Sequence, residues 1–95
     1  MKSEIHQKIN DQMRRNQHRI FLSKGIQAYT NPELTDIMNI VSNFKNFNLS
    51  NDPHKEHNFG TFMYKGEKLL WRIDTHYPEN TPYHKFLVVM KATEY

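Results

Sequence analysis

A β-hairpin fixes the middle of this chain. Phe59 to Tyr64 and Lys68 to Asp74 are aromatic-rich runs on either side of Lys65-Gly66-Glu67, a glycine-containing tight turn. Strand pairing can be projected outward from that turn. A two-residue loop at Lys65-Gly66 sets His57 opposite Asp74 and Gly60 opposite Trp71, whereas a three-residue loop sets Glu56 opposite His76 and Asn58 opposite Asp74. Both registers gather Glu56, His57, Asn58, Asp74 and His76 at the open end of the hairpin. Arg72, Asp74 and His76 share one face of their strand by the two-residue period.

The flanking segments supply the remaining elements. Ile5, Ile9 and Met13 recur four apart between Ser3 and about His18, which predicts an amphipathic helix with a narrow apolar stripe. Its other faces carry Lys8, Arg14 and Arg15, so its end is basic, as a helix C-terminus favours. Ile20 to Tyr29 reads as a strand, with Gly25 marking a bulge or turn inside it. Thr30-Asn31-Pro32-Glu33 then starts a second helix, either through a Thr30–Glu33 capping box or with Asn31 as cap and Pro32 at the first position. Leu34, Ile37, Met38, Val41 and Phe44 give that helix a broad core-facing side. Phe86 to Met90 is a continuous apolar run, which predicts a central strand covered on both faces. The order α-β-α-β-β-β gives an α+β fold, one domain over 1–95, with an antiparallel sheet of about four strands and two helices packed against it.

Composition narrows the function classes. A chain of 95 residues buries one modest core, and six Phe, five Tyr and one Trp must supply much of it. Cysteine is absent, which removes disulfide frameworks and zinc fingers. No apolar run reaches the length of a membrane span and the first residues do not read as a signal peptide, so the expected location is the cytoplasm, the host's if the chain is phage-encoded. A formal net charge of +3 mildly favours anionic partners.

The candidate site is the foot of the hairpin. Imidazoles and carboxylates there could hold a ligand or move protons, and a structural reading stands beside these: Asp52 capping the turn at Pro53, His57 buried against Asp74, and Gly60 leaving room for Trp71. Leu69 and Ile73 share the face of Trp71, which makes it core rather than a platform for a base. Tyr77 and Tyr83, in a Pro-bounded loop beside His76 and His84, are the better stacking candidates. No His-Glu-x-x-His helix, phosphate loop or nucleophile elbow is present, and neither metal nor cofactor is expected.

Asn51-Asp52-Pro53-His54-Lys55-Glu56-His57-Asn58-Phe59-Gly60 and Trp71-Arg72-Ile73-Asp74-Thr75-His76 resemble the N-D-P-x-x-E-H-D-F-G and W-K-I-D-Y-Y motifs of a domain-of-unknown-function family of proteobacteria, their plasmids and phages. Ile9-Asn10-Asp11 with Arg14, and the closing Ala92-Thr93-Glu94-Tyr95, extend the likeness over nearly the whole chain. Asn58, Thr75 and His76 depart from the motifs, and the Pro78 to Tyr83 loop is shorter than the family's. The resemblance implies no established activity, and its mobile-element setting implies an accessory role such as countering host defence.

The leading expectation is a non-enzymatic, homo-oligomeric protein that sequesters a small anionic ligand, a nucleotide-type immune signal. Arg14, Arg15 and Arg72 would hold phosphate, Tyr77 or Tyr83 would stack, and His57, Asp74, His76 and His84 would complete the site. One alternative is a small hydrolase or lyase using Glu56, His57, Asp74 and His76. The other is a protein or nucleic-acid inhibitor acting through the basic first helix, with nucleic acid the less favoured partner.

Overall fold

The computed structural model describes residues 2–16, 19–48, 50–76 and 84–95, with the side chains of Lys2 and Ser3 left aside. Along the chain these form α1 (Lys2–Asn16), β1 (Ile20–Leu22), α2 (Lys24–Gln27), α3 (Asn31–Ser42), β2 (Phe59–Tyr64), β3 (Glu67–His76), β4 (His84–Lys91) and a closing 3-10 turn, Ala92–Glu94. The predicted loop carrying Tyr77 and Tyr83 lies outside the described residues. Among the described residues no helix is long and apolar enough to cross a membrane.

The four strands form one sheet in the order β1-β4-β3-β2. β2, β3 and β4 are antiparallel, but β1 runs parallel to β4, so the sheet is mixed rather than antiparallel throughout. The strand predicted over Ile20 to Tyr29 stops at Leu22 for a local reason. Ser23 accepts a hydrogen bond from the Ile26 amide and caps α2, so Gly25 is helical rather than a bulge. A Cβ at Gly25 would lie 2.6 Å from the Glu94 carboxylate, so glycine lets that side chain lie against α2. That carboxylate accepts from Ser23 Oγ, the Gly25 amide and the Lys91 amide, which ties the chain end to α2 and holds the Glu94 carboxyl below its ordinary range.

α3, the helix expected from Thr30 onward, begins as a capping box. Thr30 Oγ1 accepts from the Glu33 amide, and Glu33 accepts from the Thr30 amide at 2.9 Å, so Thr30 rather than Asn31 is the cap. The hairpin takes the two-residue register, with Gly60 opposite Trp71. Lys65 and Gly66 both have positive φ, 48° and 81°, the backbone a type I′ turn demands.

All three helices lie on one face of the sheet. Ile26, Ile37, Val41 and Phe44 pack there against Leu69, Trp71, Ile73, Leu87 and Val89. Trp71 is fully buried, edge-on to Phe44 at 5.4 Å between ring centres. A Cβ at position 60 would sit 2.5 Å from Trp71 Nε1, so Gly60 is the space the indole occupies. The other face lacks a helix. Phe86 and Val88 are half-buried on it and Met90, opposite Leu70, is buried, so the Phe86 to Met90 run is fully covered on the helix face and only partly on this one. Phe21, Met63 and Tyr95, 56%, 63% and 77% exposed, surround it.

The first helix corrects its sequence reading most. Ile5 is exposed, while Asn10 and Arg14 are 2% and 3% exposed. The helix therefore docks through a polar edge, Gln7, Asn10, Asp11 and Arg14, beside its apolar stripe.

Candidate functional site

That polar edge grips the loop of residues 52–58. Asp52, buried, accepts through one carboxylate oxygen from the Glu56 amide at 2.9 Å and the His57 amide at 3.1 Å, and its own amide donates to the Asn48 carbonyl at 2.8 Å. Lys55 and His57 both take φ of 55°, a left-handed backbone costing about 1 kcal/mol for a residue with a Cβ. Contacts from α1 hold both in place. Gln7 donates to the Lys55 carbonyl, Asn10 donates to the Glu56 carbonyl at 2.8 Å, and Asp11 meets His57 Nδ1 at 3.0 and 3.2 Å.

The left-handed turn at His57 undoes the expected pairing with Asp74. The ladder ends at Phe59, with the Asn58 carbonyl accepting from the Ile73 amide at 2.9 Å, and the His57 ring swings toward α1. It stacks flat on Phe47, ring centres 3.8 Å apart and planes 3° apart, with Asp52 Oδ2 3.7 Å from Nε2. His57 thus lies between two carboxylates, neither of them Asp74.

Arg14 completes this interior as a structural group. Its Nη1 donates to the carbonyls of Val41 and Phe44, at 3.0 and 2.9 Å, at and just beyond the C-terminal end of α3, and its Nη2 meets Asp11. The guanidinium also lies over Trp71, 4.7 Å from the ring centre. Burial lowers its pKa, and Asp11 opposes that shift. Nη1 and Nη2 are committed to the fold, while the buried Nε has no hydrogen-bond partner among the described residues, so Arg14 lines the cleft with only part of its guanidinium left for the phosphate the sequence assigned to it.

Arg15 is placed differently. It is exposed at a cleft of about 340 Å³, alongside Lys45, Asp11, Phe47 and His57. Among the described residues neither Arg15 nor Lys45 has a carboxylate partner. A second, shallower cleft of about 460 Å³ lies across Phe47 and His57, edged by Gln7, Asp52 and Lys55.

The other predicted residues stand elsewhere. Arg72 and Asp74 pair at 3.0 Å on the open face of the sheet, with Tyr95 over the guanidinium. His76 is opposite His84 on that face, and His84 Nδ1 contacts Arg19 at 2.7 Å. The predicted quartet of Glu56, His57, Asp74 and His76 is therefore divided: the first two lie on the helix side, and the last two on the open side. Glu56 and His57 are divided in turn, since Glu56 lines a small pocket with His6 and Lys85. Among the described residues no three His, Asp or Glu side chains could together hold a metal ion.

Asn10, Asp11, Lys45, Phe47 and Lys85 were missed as site residues. Residues 7, 10, 11 and 14 share a helix edge by their three-four spacing, and Lys85 has the same strand parity as Leu87 and Val89; both signals are present in the sequence. A family model described as a protein of unknown function, DUF3768, matches residues 22–85, and the chain belongs to that family. No curated protein and no solved structure matches the chain.

Proposed function

We propose that this chain is a binding protein for a small anionic ligand of nucleotide type, captured in the cleft beside His57. The observation that carries the reading is the pair of cations without carboxylate partners, Arg15 and Lys45, at the mouth of a cleft of about 340 Å³. That volume lies in the range of small-ligand sites, and guanidinium with ammonium is the donor set a phosphate takes. The Phe47–His57 stack offers an aromatic wall for a base. The cations sit outside and the charges beneath this cleft, Asp11, Arg14 and His57, are already paired, so a ligand would dock without breaking the fold.

The mobile-element setting implied by the sequence motifs makes such capture a means of removing a host immune signal in the cytoplasm. A homo-oligomer would form through the open sheet face, where Phe21, Met63 and Tyr95 are exposed. Arg72, Asp74, His76 and His84 then belong to that interface.

One observation favours an enzyme as second reading. Asp11 holds His57 Nδ1 at 3.0 Å, the pairing that orients an imidazole as a general base. A thermal-shift panel of cyclic and ADP-ribose-type nucleotides tests capture, and loss of the shift in Arg15→Ala/Lys45→Ala places it in the cleft. A ligand recovered intact after denaturation supports binding; a converted one supports the enzyme; no shift across the panel sinks both.

A further inference from the structure

Lys85 occupies an inward-facing position on β4, opposite Thr75 on β3 and under α1, and is 8% exposed. Its ammonium carries three donors, of which one is used, to Asn10 Oδ1 at 2.7 Å. Among the described residues no carboxylate reaches ion-pair distance of it. Burial pushes the Lys85 amine below its ordinary range, and the field of Glu56 opposes that shift. A buried cation left with two idle donors is costly unless something else meets them.

What lies in front of it is a pocket of about 150 Å³, lined by His6, Asn10, Glu56, Asn58, Thr75 and Lys85. Neither the Asn58 amide nor the Thr75 hydroxyl has a protein hydrogen bond among the described residues, so three polar side chains stand ready around one space. Glu56 stands at the rim, 31% exposed, its carboxylate 3.9 Å from His6 Nε2. The pocket is therefore positive at its floor and negative at its edge.

We infer that this pocket binds a small zwitterionic carboxylate, a free α-amino acid with a short side chain. The ligand carboxylate meets Lys85 Nζ and the Thr75 hydroxyl at the floor, and its ammonium meets Glu56 at the rim. Size limits the class: a pocket of about 150 Å³, the space of roughly five waters at about 30 Å³ each, suits a small amino acid such as glycine, alanine or serine. Charge sets it too. A phosphate dianion would gain Lys85 but face Glu56, and a simple amine would gain Glu56 but face Lys85. The site is separate from the cleft beside His57 and uses none of its cations.

Calorimetric titration of the full chain at constant ionic strength, with glycine, alanine and serine against acetate, ethylamine and inorganic phosphate, tests this. The expected result is that the amino acids bind at least about tenfold more tightly than acetate or ethylamine. Lys85→Met abolishes that binding, and Glu56→Gln lowers the preference over acetate to about twofold or less. Should Lys85→Met fail to fold, Thr75→Val must weaken amino-acid binding in its place. Acetate or phosphate binding as tightly as glycine, no heat from any of the six, or binding indifferent to both Glu56→Gln and Thr75→Val would overturn the inference. Nucleotide capture would stand whatever the result, because it is read with other ligands and depends on Arg15 and Lys45.

Discussion

The two sides of the loop of residues 52–58 handle charge in opposite ways. On the His57 side the interior charges are matched: Arg14 meets Asp11 and two carbonyls, His57 lies between Asp11 and Asp52, and the unmatched cations Arg15 and Lys45 are outside. On the Glu56 side the unmatched cation, Lys85, is inside, and the carboxylate sits at the rim beside His6. A matched interior with a charged rim makes a rigid platform that receives an anion at its surface. An unmatched interior cation instead forgoes stability to keep donors for a ligand.

The strongest way to break that comparison is Arg14→Ala. It removes the buried guanidinium from Asp11 and from the Val41 and Phe44 carbonyls and opens a hole beside Trp71, so unfolding stability in urea should fall by about 3–5 kcal/mol. Asp52→Ala should follow, at about 1–3 kcal/mol, because the Glu56 and His57 amides lose a buried acceptor. A loss below about 0.5 kcal/mol in either variant would show that the His57 side is not held as described.

Lys85→Met sharpens the contrast because its sign is reversed. Replacing an unmatched buried amine by an apolar side chain of similar length should leave stability unchanged or raise it by about 1 kcal/mol. The pH dependence follows. With the folded-state pKa below the ordinary 10.5, the unfolded chain holds more protons between the two values, so the penalty is full at lower pH and fades as pH rises to 10.5. The Lys85→Met variant should lack that rise in urea midpoints.

The smallest effect lies outside both sides and serves as reference. Lys65 and Thr30 hold the Glu33 carboxyl at about 2, so its contribution is complete above the ordinary 4.5 and is lost as pH falls toward 2. Glu33→Gln should flatten the acid limb of the stability profile slightly, leaving the alkaline limb as it was. An unchanged acid limb would mean that Glu33 is not paired in solution.

Features set by neighbours in sequence were legible before any coordinates. The Lys65-Gly66 turn narrowed the hairpin to two registers and Thr30-Asn31-Pro32-Glu33 narrowed the start of α3 to two caps, of which the two-residue loop, with Gly60 opposite Trp71, and the Thr30–Glu33 box are the ones formed. What failed depends on partners far along the chain. The apolar stripe of α1 gave no hint that Asn10 and Arg14 would be the buried positions, since their partners, the Glu56, Val41 and Phe44 carbonyls, lie on a loop and a helix end brought in by the fold. The expected His57–Asp74 pair fell to one left-handed residue, which non-glycine chemistry disfavours and only tertiary contacts enforce. β1 was overextended because Ser23 capping competed with a run of strand-forming residues.

The most direct test of the central claim is calorimetric titration of a nucleotide panel, cyclic and ADP-ribose-type, into the parent chain, Arg15→Ala/Lys45→Ala and Lys85→Met. The account predicts that at least one nucleotide binds the parent, that the double variant binds it about ten- to a hundredfold more weakly, and that Lys85→Met matches the parent. Binding indifferent to Arg15 and Lys45, or no nucleotide bound at all, would contradict it.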